Sequence, residues 1–151
     1  MTLTMSIDDL KAHVGEHLGY SQYVTITQEQ VNLFADATGD HQWIHIDVER
    51  AKKESPFGGP IAHGYLTLSL GPSLSPQIVQ VTGIKLAVNY GSGKIRFPAP
   101  VPVGSEVRLG AKLLSVDDIA GGVQVAMEFA FECKDAAKPS CVAEVLFRYY
   151  V

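Results

Sequence analysis

The sequence predicts an α+β fold in which a curved antiparallel sheet wraps round a long central helix. Three observations carry that expectation. Between Ile61 and Thr82 there is no charged residue, and Leu66, Leu70, Leu74 and Ile78 recur at intervals of four, so this stretch reads as a helix that belongs in the interior. From Val123 to Cys133, Val123, Val125, Met127, Phe129, Phe131 and Cys133 alternate with Gln124, Ala126, Glu128, Ala130 and Glu132, the period of a strand with one buried face. Strand patterns cluster after the uncharged stretch, with no repeat and no linker. A one-faced sheet needs a cover, and the uncharged helix supplies it. The 151 residues therefore read as one domain, 1–151.

Each element has a local reason. Ser6 and Asp9 form a capping box for a short helix that Gly15 ends, and Gly19 to Ile26 is rich in β-formers. Thr27 and Gln30 open a second helix, with Val31, Phe34, Ala35 and Thr38 on one face and Gly39 placed for a left-handed cap. Asp47 caps a short helix through Lys53, which Pro56 stops, and Pro56 to Pro60 is a loop. The central helix is expected from Pro60 or Ala62, with a kink or break after Gly71 because Pro72 and Pro76 remove backbone donors. Strands follow over Gly83 to Tyr90, Lys94 to Phe97, Ser105 to Val116, Val123 to Cys133 and Ser140 to Val151. Residues 98–104 are a rigid link, Asp117 to Gly122 a hairpin loop, and Asp135 to Pro139 a turn.

Composition excludes several function classes. The net charge is −4 and there is no Lys/Arg run, which argues against a nucleic-acid footprint or a basic membrane-binding face. The first residues lack the cationic start and apolar run of a signal peptide, and no stretch is long and apolar enough to span a bilayer. Cys133 and Cys141 have no metal-type spacing and read as reduced, packed thiols of a cytoplasmic protein.

The chemistry concentrates between Phe34 and Leu70. Asp40 and His45 form a pair able to share one water in a dry cleft, one group taking a proton while the other delivers one. On the residues alone the plainer reading weighs more: Asp40 as a turn cap and His45 as a satisfied core histidine. His41 and His45 stand four apart, but Gln42 replaces the glutamate of a HExxH site and Gly39 argues against a helix here, so no metal is expected. His63 is a polar cap at the central helix, where free backbone N–H groups, favoured by the helix dipole, would hold an oxyanion. Ser69 by itself is a helical hydroxyl bonding back to a carbonyl.

Ala37-Thr38-Gly39-Asp40, followed after four residues by His45-Ile46-Asp47 and then Ala51, resembles the signature of the MaoC-like (R)-specific enoyl-CoA hydratases, the hydratase 2 family of hot-dog fold. Gly59 to Gly64 is similar to that family's approach to its central helix, and Asn89 to Gly91 with Lys94 to Gly104 to its later strands and turn. The resemblance covers about residues 20 to 150. It implies hydration of a trans-2-enoyl-CoA, with Asp40 and His45 as the catalytic pair, Ala62, His63 and Gly64 as the stretch that supplies the oxyanion donor, and Ser69 as the active-site serine. Asp40 is the preferred base and His45 the group that positions water and relays the proton. No metal or redox cofactor is implied, since coenzyme A arrives as the substrate's thioester. The resemblance also implies a homodimer, which agrees with more aromatic and β-branched residues on the late strands than one helix can cover. Gln42-Trp43 departs from the family's usual Asn-Pro and leaves the acyl group undefined. Two other readings stay open: a hot-dog thioesterase, and a non-catalytic acyl-thioester-binding subunit of a dehydratase assembly.

Overall fold

The computed structural model describes residues 1–151. The chain opens with β1 (Leu3–Met5) and α1 (Ile7–Ala12), whose capping box closes in both directions between Ser6 and Asp9. The expected first strand is two short ones, β2 (His17–Tyr20) and β3 (Val24–Thr25), because the backbone leaves the sheet between them. Helix α2 (Gln28–Thr38) starts at Thr27, whose side chain accepts from the Gln30 amide, and ends at Gly39 with φ +81°, the left-handed geometry glycine adopts without a side-chain clash. A one-turn helix, α3 (Trp43–Ile46), and α4 (Val48–Glu54), capped by Asp47, then carry the chain to the glycine-proline loop. His45 is therefore helical despite Gly39, because Gly39 ends α2 and α3 starts afresh four residues later.

The central helix is shorter and more broken than expected. It begins at Gly64, not Pro60 or Ala62, as α5 (Gly64–Ser69); it breaks at Leu70 and resumes as α6 (Gly71–Leu74) and a 3-10 turn over Ser75–Gln77. Pro72 occupies the first turn of α6, where a missing donor costs nothing. Gly71 lies so close to Phe129 that an added Cβ would stand 2.9 Å from its ring, so the break seats the helix on the sheet. Leu66, Leu74 and Ile78 are buried against it, and Leu70 is half-buried.

The late strands are β4 (Val79–Val81), β5 (Leu86–Arg96), β6 (Glu106–Ile119), β7 (Gly122–Cys133) and β8 (Cys141–Tyr150). The six-stranded sheet runs β2-β6-β7-β8-β5, with β3 also on β6; β4 pairs in parallel with β1 outside it. Two expected boundaries move. The hairpin loop shrinks to Ala120 and Gly121, and the two strands expected on either side of Gly91-Ser92-Gly93 are one, β5, whose register on β8 absorbs that stretch as irregularities. Inward residues Leu109, Leu113, Val125, Met127, Phe129 and Phe131 form the core with the central helix, while Arg108 and Glu132 face each other outside at 3.0 Å. This curved sheet around a helix is the hot-dog arrangement. Both cysteines are buried, and burial pushes the Cys141 thiol up to about 11, which keeps it protonated and inert.

Candidate active site

The segment from α2 to the head of α5 brings Asp40, His45 and His63 together: one donor atom from each lies within 4.8 Å of the others. Asp40 is exposed on the loop that Gly39 turns out of α2, and its carboxylate accepts a long 3.3 Å bond from the Gln42 amide. His45 is buried within α3, and three contacts hold it. Its Nδ1 donates to the Ile61 carbonyl at 2.7 Å, its own carbonyl accepts from Gln28 Nε2 at 2.8 Å, and the His63 ring stacks on it at 3.9 Å with 25° between the planes.

A carbonyl can only accept, so the bond to Ile61 settles the His45 tautomer: Nδ1 carries the proton and Nε2 is bare. Burial holds its pKa below the ordinary histidine value; the neighbouring His63 acts in the same direction, while the Ile61 carbonyl and Asp40 act against it. His45 is thus a neutral imidazole with one free lone pair, next to a carboxylate.

The amide N–H groups at the helix head divide the predicted oxyanion stretch. The Ala62 amide already donates to the Val101 carbonyl at 2.8 Å, which removes it as a donor. The His63 and Gly64 amides have no acceptor within the chain. With α5 only six residues long, their worth lies in the two N–H groups rather than in a helix dipole. His63 is not the polar cap expected of it: its side chain makes no capping bond.

Ser69 stands apart from this group. It is exposed near the end of α5, bonds back to the Tyr65 carbonyl at 2.6 Å, and lines an apolar cleft of about 410 Å³ with Leu68, Ile95, Phe129, Val145 and Phe147. That cleft runs between the helix and strands β5 and β8, and Asp40 and His45 are not among its walls. His41 turns away toward α2, where the exposed Asp36 carboxylate bonds it at 2.9 Å and raises its pKa, so the His41–His45 spacing builds no joint site. Trp43 lies under the Arg50 guanidinium at 4.2 Å, which straps α3 to α4.

One residue of the site, Gln28, and the role of one side chain, His63, escaped sequence reasoning. Gln28 reaches His45 from 17 positions away, and its sequence carries no mark of that. The His63 side chain did leave a signal: histidine stands where a helix start usually has Ser, Thr, Asp or Asn. No helix in the chain is long and apolar enough to cross a membrane.

Comparison with known proteins places the chain in a family and a fold. The family model described as "MaoC like domain" matches residues 9–130. The chain is 57% identical over 145 residues, 95% of each chain, to a Mycobacterium tuberculosis protein named 3-hydroxyacyl-thioester dehydratase Z. Among solved structures it is similar in fold to the unliganded R-hydratase PhaJ1 from Pseudomonas aeruginosa, at TM-score 0.71 and 22% identity over 95% of this chain and 84% of that one. It is also similar in fold to the (R)-hydratase from A. caviae, at TM-score 0.68 and 22% identity over 89% and 94%.

Proposed function

The chain belongs to the MaoC-like dehydratase family and is a hydro-lyase; from that premise we propose that it catalyses the reversible, (R)-specific hydration of a trans-2-enoyl-CoA to the (R)-3-hydroxyacyl-CoA. The observation that carries this reading is the bare Nε2 of a neutral, buried His45 beside the Asp40 carboxylate. Two acceptors side by side are suited to gripping both hydrogens of one water.

The substrate carbonyl takes the free His63 and Gly64 amides, which draws electron density from C3 and holds the charge that develops on oxygen. Water bound to both acceptors attacks C3. As the C3–O bond forms, one O–H bond of the water breaks and its proton passes to His45 Nε2. The imidazolium then returns that proton to C2, and the C2–C3 π bond is consumed. Water's second hydrogen, held by Asp40, stays on the new hydroxyl. This moves proton uptake from Asp40, the base preferred from the sequence, to His45, because the bond to Ile61 leaves Nε2 as an acceptor. Asp40 holds the water and stabilises the transient imidazolium. The acyl chain occupies the apolar cleft beside Ser69, roughly 7–8 Å along the helix from Gly64 at a helical rise of about 1.5 Å per residue. No step calls for a metal or a redox cofactor.

The chain works as a homodimer in this proposal. Strand β5 is exposed over almost its whole length, with Leu86, Val88 and Tyr90 outward and its free edge unpaired. An edge of this length needs a partner, and a second β5 is the symmetric one. A dimeric mass in light scattering at micromolar concentration is expected, and a monomer counts against it.

Crotonyl-CoA tests the reaction. Purified protein should remove the enoyl absorbance without releasing free thiol, and chiral analysis should find the (R)-alcohol. Thiol release would move the activity to thioester hydrolysis. Ligand-induced stabilisation without turnover would make the chain a binding subunit.

A further inference from the structure

His63 is 3% exposed, and its ring lies between Phe34, at 4.9 Å, and His45, at 3.9 Å. Its Nε2 donates to the Asp40 carbonyl at 3.0 Å, which puts the proton on Nε2 and leaves Nδ1 bare and without a partner. As the residue that precedes the first turn of α5 it forgoes the capping bond that Ser, Thr, Asp or Asn would make there. The side chain instead spans the two groups that hold the water.

The bonds at Asp40 show what this contact does. The Asp40 amide reaches Thr38 Oγ1 at 3.4 Å and its carboxylate meets the Gln42 amide at 3.3 Å, both long. The bond from His63 is the shortest that Asp40 makes, and it comes from a buried group on another element. On its other side, the same ring covers a face of His45 and keeps water from it.

We propose that His63 is a positioning residue serving both catalytic groups at once: its Nε2–H fixes the Asp40 loop, and its ring face seals His45. The inference rests on the hydratase reading of Asp40 and His45. It also accounts for a histidine at a helix head where a residue with a capping side chain is usual.

The two functions separate by substitution. His63→Gln keeps an amide N–H near the position of Nε2 but removes the ring. His63→Phe keeps a ring over His45 but removes the donor. His45 must be neutral to take the proton, so activity falls as pH drops through its pKa. The titratable groups acting on His45 are Asp40, from the loop after α2, and His63 itself; α2 presents the uncharged Gln28, and no charge of α3 or α4 acts on it.

Uncovering His45 lets water reach it and removes a neighbour that disfavours its cation; both effects raise its pKa. His63→Gln should therefore move the acid limb of kcat/KM up by about 0.5–1 pH unit, and it should lower plateau kcat less than His63→Phe does because the loop keeps its donor. His63→Phe keeps the cover and loses only the neighbour, so it should move the limb less than His63→Gln does, and it should lower kcat by roughly ten-fold or more through a misplaced Asp40. KM should change little in either.

Asp40→Asn and His45→Gln measured alongside keep the two ideas apart. If those variants retain native activity, the hydratase reading itself falls. If they are inactive while both His63 variants fold and keep native kcat and a native limb, the positioning role falls and His63 is only packing. Ring 15N NMR of the unaltered protein tests the same point without a variant: His63 should be the Nε2–H tautomer and His45 the Nδ1–H tautomer. The opposite tautomer at His63 overturns the proposal.

Discussion

In β7, Val123, Val125, Met127, Phe129 and Phe131 are all buried, and each packs into one apolar core. Between Thr27 and Gly64, the side chains that matter are tied by individual hydrogen bonds: Gln28 to the His45 carbonyl and Asn32, His45 to the Ile61 carbonyl, His63 to the Asp40 carbonyl, and Asp47 to the Arg50 amide. Burial is non-directional and large; a hydrogen bond is directional and contributes about 1 kcal/mol net. The sheet therefore carries the stability, and the segment carries the placement of the reacting groups. Loss of a β7 side chain should melt the protein without changing its chemistry, and loss of a site side chain should do the reverse.

The largest effect expected is at the catalytic pair. Asp40→Asn still accepts a hydrogen bond but carries no charge to hold an imidazolium. His45→Gln keeps polar reach but relays nothing. Each should lower kcat by on the order of 10² to 10⁴, with a small change in Tm and a smaller change in KM than in kcat. The double variant should be little worse than either single one, because groups sharing one water act as a unit. Two variants near native activity would return Asp40 to a turn cap and His45 to a core histidine. A large fall in Tm with each would break the contrast between the two regions.

Phe129→Ala is the matching test in the sheet. Phe129 is buried, touches Phe131 and Phe147, and supports the helix break at Gly71. The cavity should cost about 3–5 kcal/mol, read from denaturant unfolding, while the folded fraction keeps its native pH profile.

Asp47→Ala sharpens the contrast from inside the segment with a smaller effect. Asp47 caps α4, which carries the Arg50 that lies over Trp43 of α3. Its loss should cost roughly 0.5–2 kcal/mol of stability, and kcat should stay within about three-fold, since three contacts still hold His45. A hundred-fold loss of kcat would show that α4 sets the position of His45 more strongly than Gln28, Ile61 and His63 do.

What the sequence revealed follows the same division. The capping of α1, α2 and α4 and the alternation of β7 are written in neighbouring residues, and all appear in the structure. What it concealed depends on distant partners. Helix α3 is one turn supported by Arg50 and Ile61; β1 and β4 are three residues each and pair across more than seventy positions. Strand β5 reads as two because Gly91-Ser92-Gly93 looks like a turn, and only β8, some fifty residues on, holds it straight. The Asp40–His45 spacing was legible, but its local chemistry was ambiguous. The tautomer that makes His45 an acceptor comes from a carbonyl sixteen residues away, and the ring that covers it from His63.

The smallest expected effect is none at all. Asp40, His45 and His63 could be mistaken for a metal centre, since their donor atoms cluster within 4.8 Å. The ring geometry opposes it. A metal binds an imidazole along a lone pair lying in the ring plane, at about 2.0–2.1 Å for zinc. The two ring planes are stacked, 3.9 Å between centroids and only 25° apart, so they meet several ångströms beyond the rings. In addition, each ring has one nitrogen already donating to a carbonyl. Binding would require one histidine to rotate out of the stack and break its bond, and the Asp40 loop or α3 would shift with it. Turnover should therefore be unchanged by EDTA, and added zinc should not increase it. If chelation abolished activity and zinc restored it, the stacked pair would have to open in the working enzyme. The segment would then not be the fixed scaffold that distinguishes it from the sheet.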